Sequence, residues 1–274
     1  MAPEQVDEIT HRHVRRYLSH LAEQGRCGAT IQRKLTSLRS FFKFLLERGE
    51  IEVMPTLGIR RRSSPRQIPR PLSFNEAKRL VESPRLTTAA GRRDRALLEW
   101  MYSTGARSSE TAGMDLSRLF LDRGIAHVIG KGNKERQVVV GRHAVRELRR
   151  YLEDPLRPKP TRDAGDALFL NPSGNRLSVG ALGPILRKHT SRAGIHYHIT
   201  PHTLRHTFAT HLIERGANLV LVMKLLGHVS LSSTQLYTRI SAERLRAVYK
   251  RSHPWGEVFM STQSLRRRAR RSPE

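Results

Sequence analysis

The apolar residues of this chain keep a helical period almost throughout and abandon it in one short interval. Leu116–Leu121, Ile125–Ile129 and Arg136–Val140 read as short strands, with Asp122-Arg123-Gly124 and Gly130-Lys131-Gly132-Asn133 as the turns between them. Turns this tight make neighbouring strands antiparallel. A sheet this small cannot close a core alone, so it must lean on helices. The fold class that follows is mainly α with a small antiparallel β-sheet.

The helices can be placed from the same reading. Thr10 is positioned to cap a first helix, with Val14, Tyr17, Leu18 and Leu21 on one face and Gly25 ending it. Thr30 is positioned to cap a second, lined by Ile31, Leu35, Leu38, Phe42 and Leu45 and stopped at Gly49. Residues 60–71 look like a linker, because their prolines forbid helix and their arginines make them cationic. Ser73 and Glu76 form a capping-box pair for a helix through Val81. A further helix spans Arg93 to Tyr102, with Ala96, Leu97, Trp100 and Met101 on its apolar face. Beyond the strands, helices are predicted over Ala144–Leu152, Val179–Arg192, Pro201–Arg215, Leu219–Leu226, Ser233–Thr238 and Ala242–Tyr249. The chain thus divides into a helical unit at 1–59, the linker, a larger domain at 72–252, and a basic tail at 253–274 expected to be disordered.

Charge narrows the function classes. A formal net charge of +26 over 274 residues attracts polyanions, and nucleic acid is the usual one. Arg outnumbers Lys, which suits bidentate phosphate binding. Arg33, Lys34, Arg39 and Lys43 lie away from the apolar stripe of the second helix. They either follow a phosphate backbone or form a solvated face; Arg60, Arg61 and Arg62 extend the same cationic character into the linker. The single cysteine, Cys27, allows no internal disulfide and fits a reducing compartment. No segment has the apolar length of a membrane span, and the polar N-terminus does not read as a signal peptide, so the expected location is cytoplasmic.

Five short motifs carry the chemistry: Tyr-Ser-Thr-Gly-Ala-Arg-Ser-Ser-Glu at 102–110, Gly-Lys-Gly-Asn-Lys-Glu-Arg at 130–136, His-Thr-Leu-Arg-His at 202–206, Leu-Leu-Gly-His at 225–228 and Gln-Leu-Tyr-Thr at 235–238. They present Arg107, Lys131, His202, Arg205, His228 and Tyr237. Two arginines can neutralise a phosphate, a lysine can protonate a leaving oxygen, two histidines can move or hold protons, and a tyrosine can attack. That set can break and rejoin a phosphodiester without metal or nucleotide. Gly105 frees Arg107 to point into a cleft, with Glu110 in reach of its guanidinium. His202 and Arg205 share a helix face behind a Thr200 cap and Pro201. The glycine-flanked Lys131 turn lacks Walker spacing and the helix that should follow, which argues against ATP. His202 and His206 have metal-ligand spacing, but Thr203 stands where a zincin has glutamate, and two cations beside the site disfavour a metal. No cofactor and no metal are expected.

These motifs, with Leu-Arg-Ser-Phe-Phe at 38–42, Arg-Asp-Arg-Ala-Leu-Leu-Glu at 93–99 and Pro-His-Thr-Leu-Arg-His-Thr-Phe-Ala-Thr-His-Leu at 201–212, resemble the tyrosine recombinase (phage integrase) family, and most closely its Xer-like bacterial members. The match runs from about residue 10 to 254. The resemblance implies a helical core-binding domain and a mainly helical catalytic domain that clamp duplex DNA. It implies that Arg107, Lys131, His202, Arg205, His228 and Tyr237 fall on active-site positions, with Tyr237 the nucleophile of a 3′-phosphotyrosyl intermediate. The Ser241–Tyr249 helix must bury its apolar face on its own domain or on another copy; the resemblance favours another copy, in a homo- or hetero-tetramer on paired sites where each protomer gives this helix to the next. The family's core-binding bundle has four or more helices; only its last two are visible in this sequence. Text at 111–114, Thr-Ala-Gly-Met, departs from the family's leucine-rich pattern and bears on packing alone. Two other readings stand beside the recombinase: a type IB topoisomerase-like nicking-closing enzyme and a non-catalytic DNA-binding relic.

Overall fold

The computed structural model describes residues 6–59, 70–227 and 242–256. The change of period becomes a three-stranded antiparallel sheet, in the order β1 (Leu119–Phe120), β2 (Ile125–Ile129), β3 (Glu135–Val139). Ile125 pairs with Val139 and Val128 with Arg136. The β2–β3 turn is a short 3-10 segment, Lys131–Asn133, in which Gly132 (φ 74°) and Asn133 (φ 57°) take the left-handed conformation. The first edge is shorter than alternation predicts. Leu116–Arg118 and Leu121–Arg123 are 3-10 turns, not strand. Their backbone has another partner: Leu116 N donates to the Asp166 carbonyl (2.8 Å) and Ser117 N to Asp166 Oδ2 (2.7 Å).

Two compact units divide the chain, residues 1–68 and 69–274. The first holds α1 (His11–Glu23) and α2 (Gly28–Glu47). At the start of α1, Thr10 N donates to His13 Nδ1 (3.1 Å), an imidazole version of the capping box. Thr30 does not cap α2. The helix begins at Gly28, and Thr30 sits in its first turn with its hydroxyl 3.3 Å from Cys27 Sγ. Val14, Leu35, Phe42, Leu45, Ile51 and Ile59 form the unit's core. Tyr17, expected on that face, is exposed.

The larger unit contains α3 (Phe74–Glu82), α4 (Ala89–Thr104), α5 (Ser108–Ala112), the sheet, α6 (Arg142–Leu152), α7 (Val179–Arg192), α8 (Pro201–Glu214), α9 (Leu219–Leu226) and α10 (Ala242–Ser252). Ser73 caps α3 with Glu76 as expected: Ser73 N donates to Glu76 Oε2 at 2.8 Å, and Glu76 N donates to Ser73 Oγ at 3.3 Å. Helix α4 starts four residues before Arg93, at a Thr88 cap, because its first turn, Ala-Ala-Gly-Arg, has no large apolar residue to set a period. It is the central helix: Ala96, Leu97, Trp100, Met101 and Tyr102 are all buried, packed among α3, α6, α8 and β3. The expected helix over 233–238 lies outside the described residues.

Two expectations about the C-terminal end are corrected. The apolar face of α10 is filled by its own domain. Val248 and Tyr249 are buried with Val139, Phe208, Leu212 and Leu225, and Tyr249 Oη lies 2.7 Å from Ser103 Oγ. In the single chain that face is covered by its own domain. Nor does order stop at 252. His253 is buried and stacks on Tyr249 with centroids 4.5 Å apart, its Nδ1 accepting from Trp255 N (3.1 Å). Burial pushes the His253 imidazole down to about 3, so it is neutral at physiological pH. Trp255 packs on Tyr102 and beside His143. Composition suggested a loose tail over 253–274; its first residues instead help close the core with the rings at 253 and 255, and 257–274 lie outside the described residues.

Candidate active site

The site forms where helices α4 and α9 end, beside the middle of α8. Helix α4 stops at Gly105, whose left-handed backbone (φ 59°) turns the chain toward Arg107. A Cβ at Gly105 would lie 2.5 Å from the Phe208 ring, so both conformation and space demand glycine. Arg107 caps α5, and Glu110 sits in that helix's first turn. Arg205 projects from the middle of α8. Helix α9 ends at Gly227, which is also left-handed (φ 67°).

Glu110 is the hub. Its buried carboxylate accepts from Arg107 N (2.7 Å) and Arg107 Nη1 (2.8 Å), and from Arg136 Nη2 (2.7 Å) and Nε (3.2 Å). Arg205 Nη1 is 4.0 Å away. Burial alone would raise the Glu110 carboxyl, but the hydrogen bonds and charge of Arg136, then of Arg107, outweigh it and hold the group below its ordinary value. Three guanidinium groups therefore surround one carboxylate, which leaves an excess of positive charge for an anion.

The carbonyls at the end of α9 complete the cradle. Arg205 donates Nη1 to the Gly105 carbonyl and Nη2 to the Leu226 carbonyl, both at 2.6 Å. Arg107 Nη2 donates to the Gly227 carbonyl (3.3 Å), and Arg136 Nη1 to the Leu225 carbonyl. Three successive carbonyls are thus held by three different arginines. Burial, then the charges of Arg107 and Arg136, push Arg205 down to about 10, and it stays protonated at neutral pH. Of the three, Arg107 has the most exposed side chain (38%), against 14% for Arg136 and 8% for Arg205.

The structure brings Arg107 and Arg205 together as the motifs suggested. His202 is exposed in the first turn of α8, one turn before Arg205, behind the Thr200–Thr203 cap. Lys131 lies in the β2–β3 turn, and the turn's first residue borders the hub: a Cβ on Gly130 would be 3.4 Å from Glu110 Oε1. His228, Tyr237, Arg60, Arg61 and Arg62 lie outside the described residues. In the smaller unit, Arg33, Lys34 and Lys43 are exposed on α2, with Lys43 3.5 Å from Glu47. Arg39 is only half-exposed and donates Nη2 to the Ile59 carbonyl (2.5 Å), so one side of its fork is committed inside the unit. His211 is likewise occupied, with Nδ1 2.8 Å from Tyr102 Oη and Nε2 2.8 Å from the Leu72 carbonyl. Arg136 was passed over by sequence reasoning. The signal for it was its place in the 130–136 motif, on the strand leaving the Lys131 turn.

A buried carboxylate that gathers three arginines, beside a lysine-bearing turn, leaves positive charge of the kind that suits a phosphate. Comparison with known proteins specifies the class further. Residues 70–244 match the phage integrase family, and residues 1–49 match the phage integrase N-terminal SAM-like domain. The chain is 43% identical to tyrosine recombinase XerC of Pelotomaculum thermopropionicum, covering 90% of this chain and 82% of the relative. It is 37% identical to tyrosine recombinase XerD of Halalkalibacterium halodurans, again over 90% of this chain and 82% of the relative. Among solved structures, XerA recombinase is 28% identical with a TM-score of 0.54, covering 92% of this chain and 86% of that one. The XerH site-specific recombinase in its post-cleavage complex with palindromic difH substrate has the same fold, with a TM-score of 0.69 at 24% identity, over 90% of this chain and 73% of that one. The chain belongs to the phage integrase family, the tyrosine recombinases. Its activity is site-specific DNA recombination, and nothing in the comparisons favours the relic or topoisomerase reading.

Proposed function

We propose that this recombinase works on duplex DNA through a 3′-phosphotyrosyl intermediate formed by Tyr237. The observation that carries the reading is the pairing of Arg107 and Arg205 at one carboxylate, with Arg107 left partly exposed. Arg107 and Arg205 bind the non-bridging oxygens of the scissile phosphate and stabilise the charge that gathers there in the transition state. Tyr237 attacks phosphorus, and its phenolic proton passes to His202. The bond from phosphorus to the 5′-oxygen breaks as Lys131 protonates that oxygen. His228 hydrogen-bonds the phosphate and keeps it in line. The phosphotyrosyl bond conserves the energy of the broken linkage, so a 5′-hydroxyl from a second duplex rejoins the strand without ATP.

The exposed cations of α2, Arg33, Lys34 and Lys43, together with Arg60, Arg61 and Arg62, contact the DNA backbone in this reading and set register more than sequence. Up to four protomers gather on two paired sites. Their contact is made by surfaces other than the apolar face of α10, which is already covered.

A duplex nicked near the scissile phosphate tests the chemistry, because it traps the covalent complex. Wild-type protein should accumulate a protein–DNA adduct on it. Tyr237→Phe should bind the same duplex and form none, since only the attacking hydroxyl is gone. An adduct with the phenylalanine variant would mean that another residue attacks.

A further inference from the structure

We propose that Arg136 is a positioning residue of the active site. It locks Glu110, and through it Arg107, to the end of α9. The inference rests on the phosphotyrosyl reading above and adds to it a residue that does not touch DNA.

Arg136 spends its guanidinium inward. Nη2 and Nε both donate to Glu110, at 2.7 and 3.2 Å, and Nη1 donates to the Leu225 carbonyl. Its stem passes under the last turn of α9: a Cβ on Gly227 would be 2.4 Å from Arg136 Cδ. With all three of its nitrogens donating inward and the side chain only 14% exposed, it offers little to a phosphate. This separates it from Arg107, which shares Glu110 but stays 38% exposed.

Its location gives these bonds their consequence. Arg136 stands on β3, five residues after Lys131, opposite Val128 in the sheet. One side chain therefore joins the strand that leaves the lysine turn, the carboxylate that aims Arg107, and the carbonyls just before His228 in the chain. Without it, Glu110 loses two of the four hydrogen bonds it receives, and the Leu225 carbonyl loses its arginine donor. Glu110 is then held by Arg107 alone and is free to follow it. Oriented catalytic groups lose rate steeply with small displacements, about 100-fold for a shift of about 1 Å. Phosphate affinity, set by many surface cations, is spared.

Lysine and guanidinium test the geometry apart from the charge. Arg136→Lys keeps the charge and most of the stem but cannot bridge Glu110 and the Leu225 carbonyl together. In single-turnover cleavage of the nicked duplex, Arg136→Lys should bind DNA within about threefold of wild type and cleave about 100-fold more slowly. Arg136→Ala should be at least as slow, and millimolar guanidinium ion should restore part of its rate by filling the vacated place. Wild-type cleavage by Arg136→Lys would overturn the proposal. So would an Arg136→Ala variant that melts like wild type, is slow, and gains nothing from guanidinium. If Arg136→Ala does not fold, the lysine variant alone decides. Failure of the underlying reading looks different: wild-type protein would form no adduct, or Tyr237→Phe would still form one.

Discussion

The two units solve the problem of burial differently. In the larger unit most big rings are inside: Trp100, Tyr102, Tyr151, Phe169, Phe208 and Tyr249 are at most 2% exposed, with Phe74 (39%) and Phe120 (38%) exceptions at its surface. Among its described residues the smaller unit has two helices and one small cluster, and it leaves Phe41 (46%), Phe44 (51%), Val53 (71%) and Leu57 (74%) in solvent. Small units bury a smaller share of their surface and are correspondingly marginal. The contrast has a functional logic. Active-site arginines must be held to fractions of an ångström, and only a closed core does that. A unit that, as proposed, grips DNA through exposed cations needs a charged surface first and a rigid interior second.

The largest effect that can break this contrast comes from the C-terminal end. Ending the chain after Ile240 removes Val248, Tyr249 and His253 from the core beside Phe208 and β3. Losing one buried aromatic side chain costs about 3–5 kcal/mol. Whole domains have only about 5–15 kcal/mol to lose. The larger unit should therefore lose its cooperative thermal transition, while the smaller unit's transition stays where it was. A truncated protein that melts like the intact one would mean that α10 is an accessory and the core closes without it.

Next comes Arg205→Ala. It should leave the smaller unit's DNA contacts intact and slow cleavage of the nicked duplex by a factor set by about 3–4 kcal/mol of lost transition-state stabilisation. A reduction under about tenfold would remove Arg205 from the reacting phosphate.

Much of this was legible in the sequence, and the exceptions have causes. Helices α7 and α9 fall where periodicity put them, because strong apolar stripes lie between a serine or asparagine cap and a stop. The first strand was overlong in the sequence reading because alternation does not reveal that Asp166, about fifty residues on, takes the backbone of 116 and 117. Glu110 beside Arg107 could be read from spacing. Arg136 could not, since its partners on α5 and α9 are 26 and 89 residues away in the chain. The docking of α10 was read from family likeness as an exchange between protomers. An amphipathic helix states that its face will be covered but not by whom.

A smaller effect probes the interior of α4. Glu99 is fully buried, its carboxyl oxygens have no hydrogen-bond partner, and Arg95 Nη2 is 3.4 Å from Oε1. Burial pushes this carboxyl up to about 8, so it is neutral in the folded chain at pH 7 and ionised in the unfolded one. Folding then takes up a proton between the ordinary value of 4.5 and about 8. The group's contribution to stability is present below that window and is lost as pH rises through it, levelling off above about 8. Glu99→Gln should flatten that part of the stability profile, measured by urea unfolding of the larger unit at several pH values. An unchanged slope would assign the dependence to other groups.

The smallest effect sharpens the comparison most directly, because it sets neighbours on one helix against each other. Phe42 and Phe44 both lie in α2, at 2% and 51% exposure. Phe42→Ala opens the middle of the smaller unit's core and should cost about 3–5 kcal/mol. Phe44 has the Arg48 guanidinium 5.3 Å from its ring centre. An exposed contact of that kind is worth about 0.5–1 kcal/mol, so Phe44→Ala should cost no more than that. Both are read from the smaller unit's own transition in urea, at several protein concentrations. If Phe44→Ala costs as much as Phe42→Ala, the ring is covered in solution. If that cost also grows with protein concentration, the cover is a second copy. The exposed rings of the smaller unit would then be half of an interface, and the contrast between a closed catalytic unit and an open gripping unit would hold only for the isolated chain.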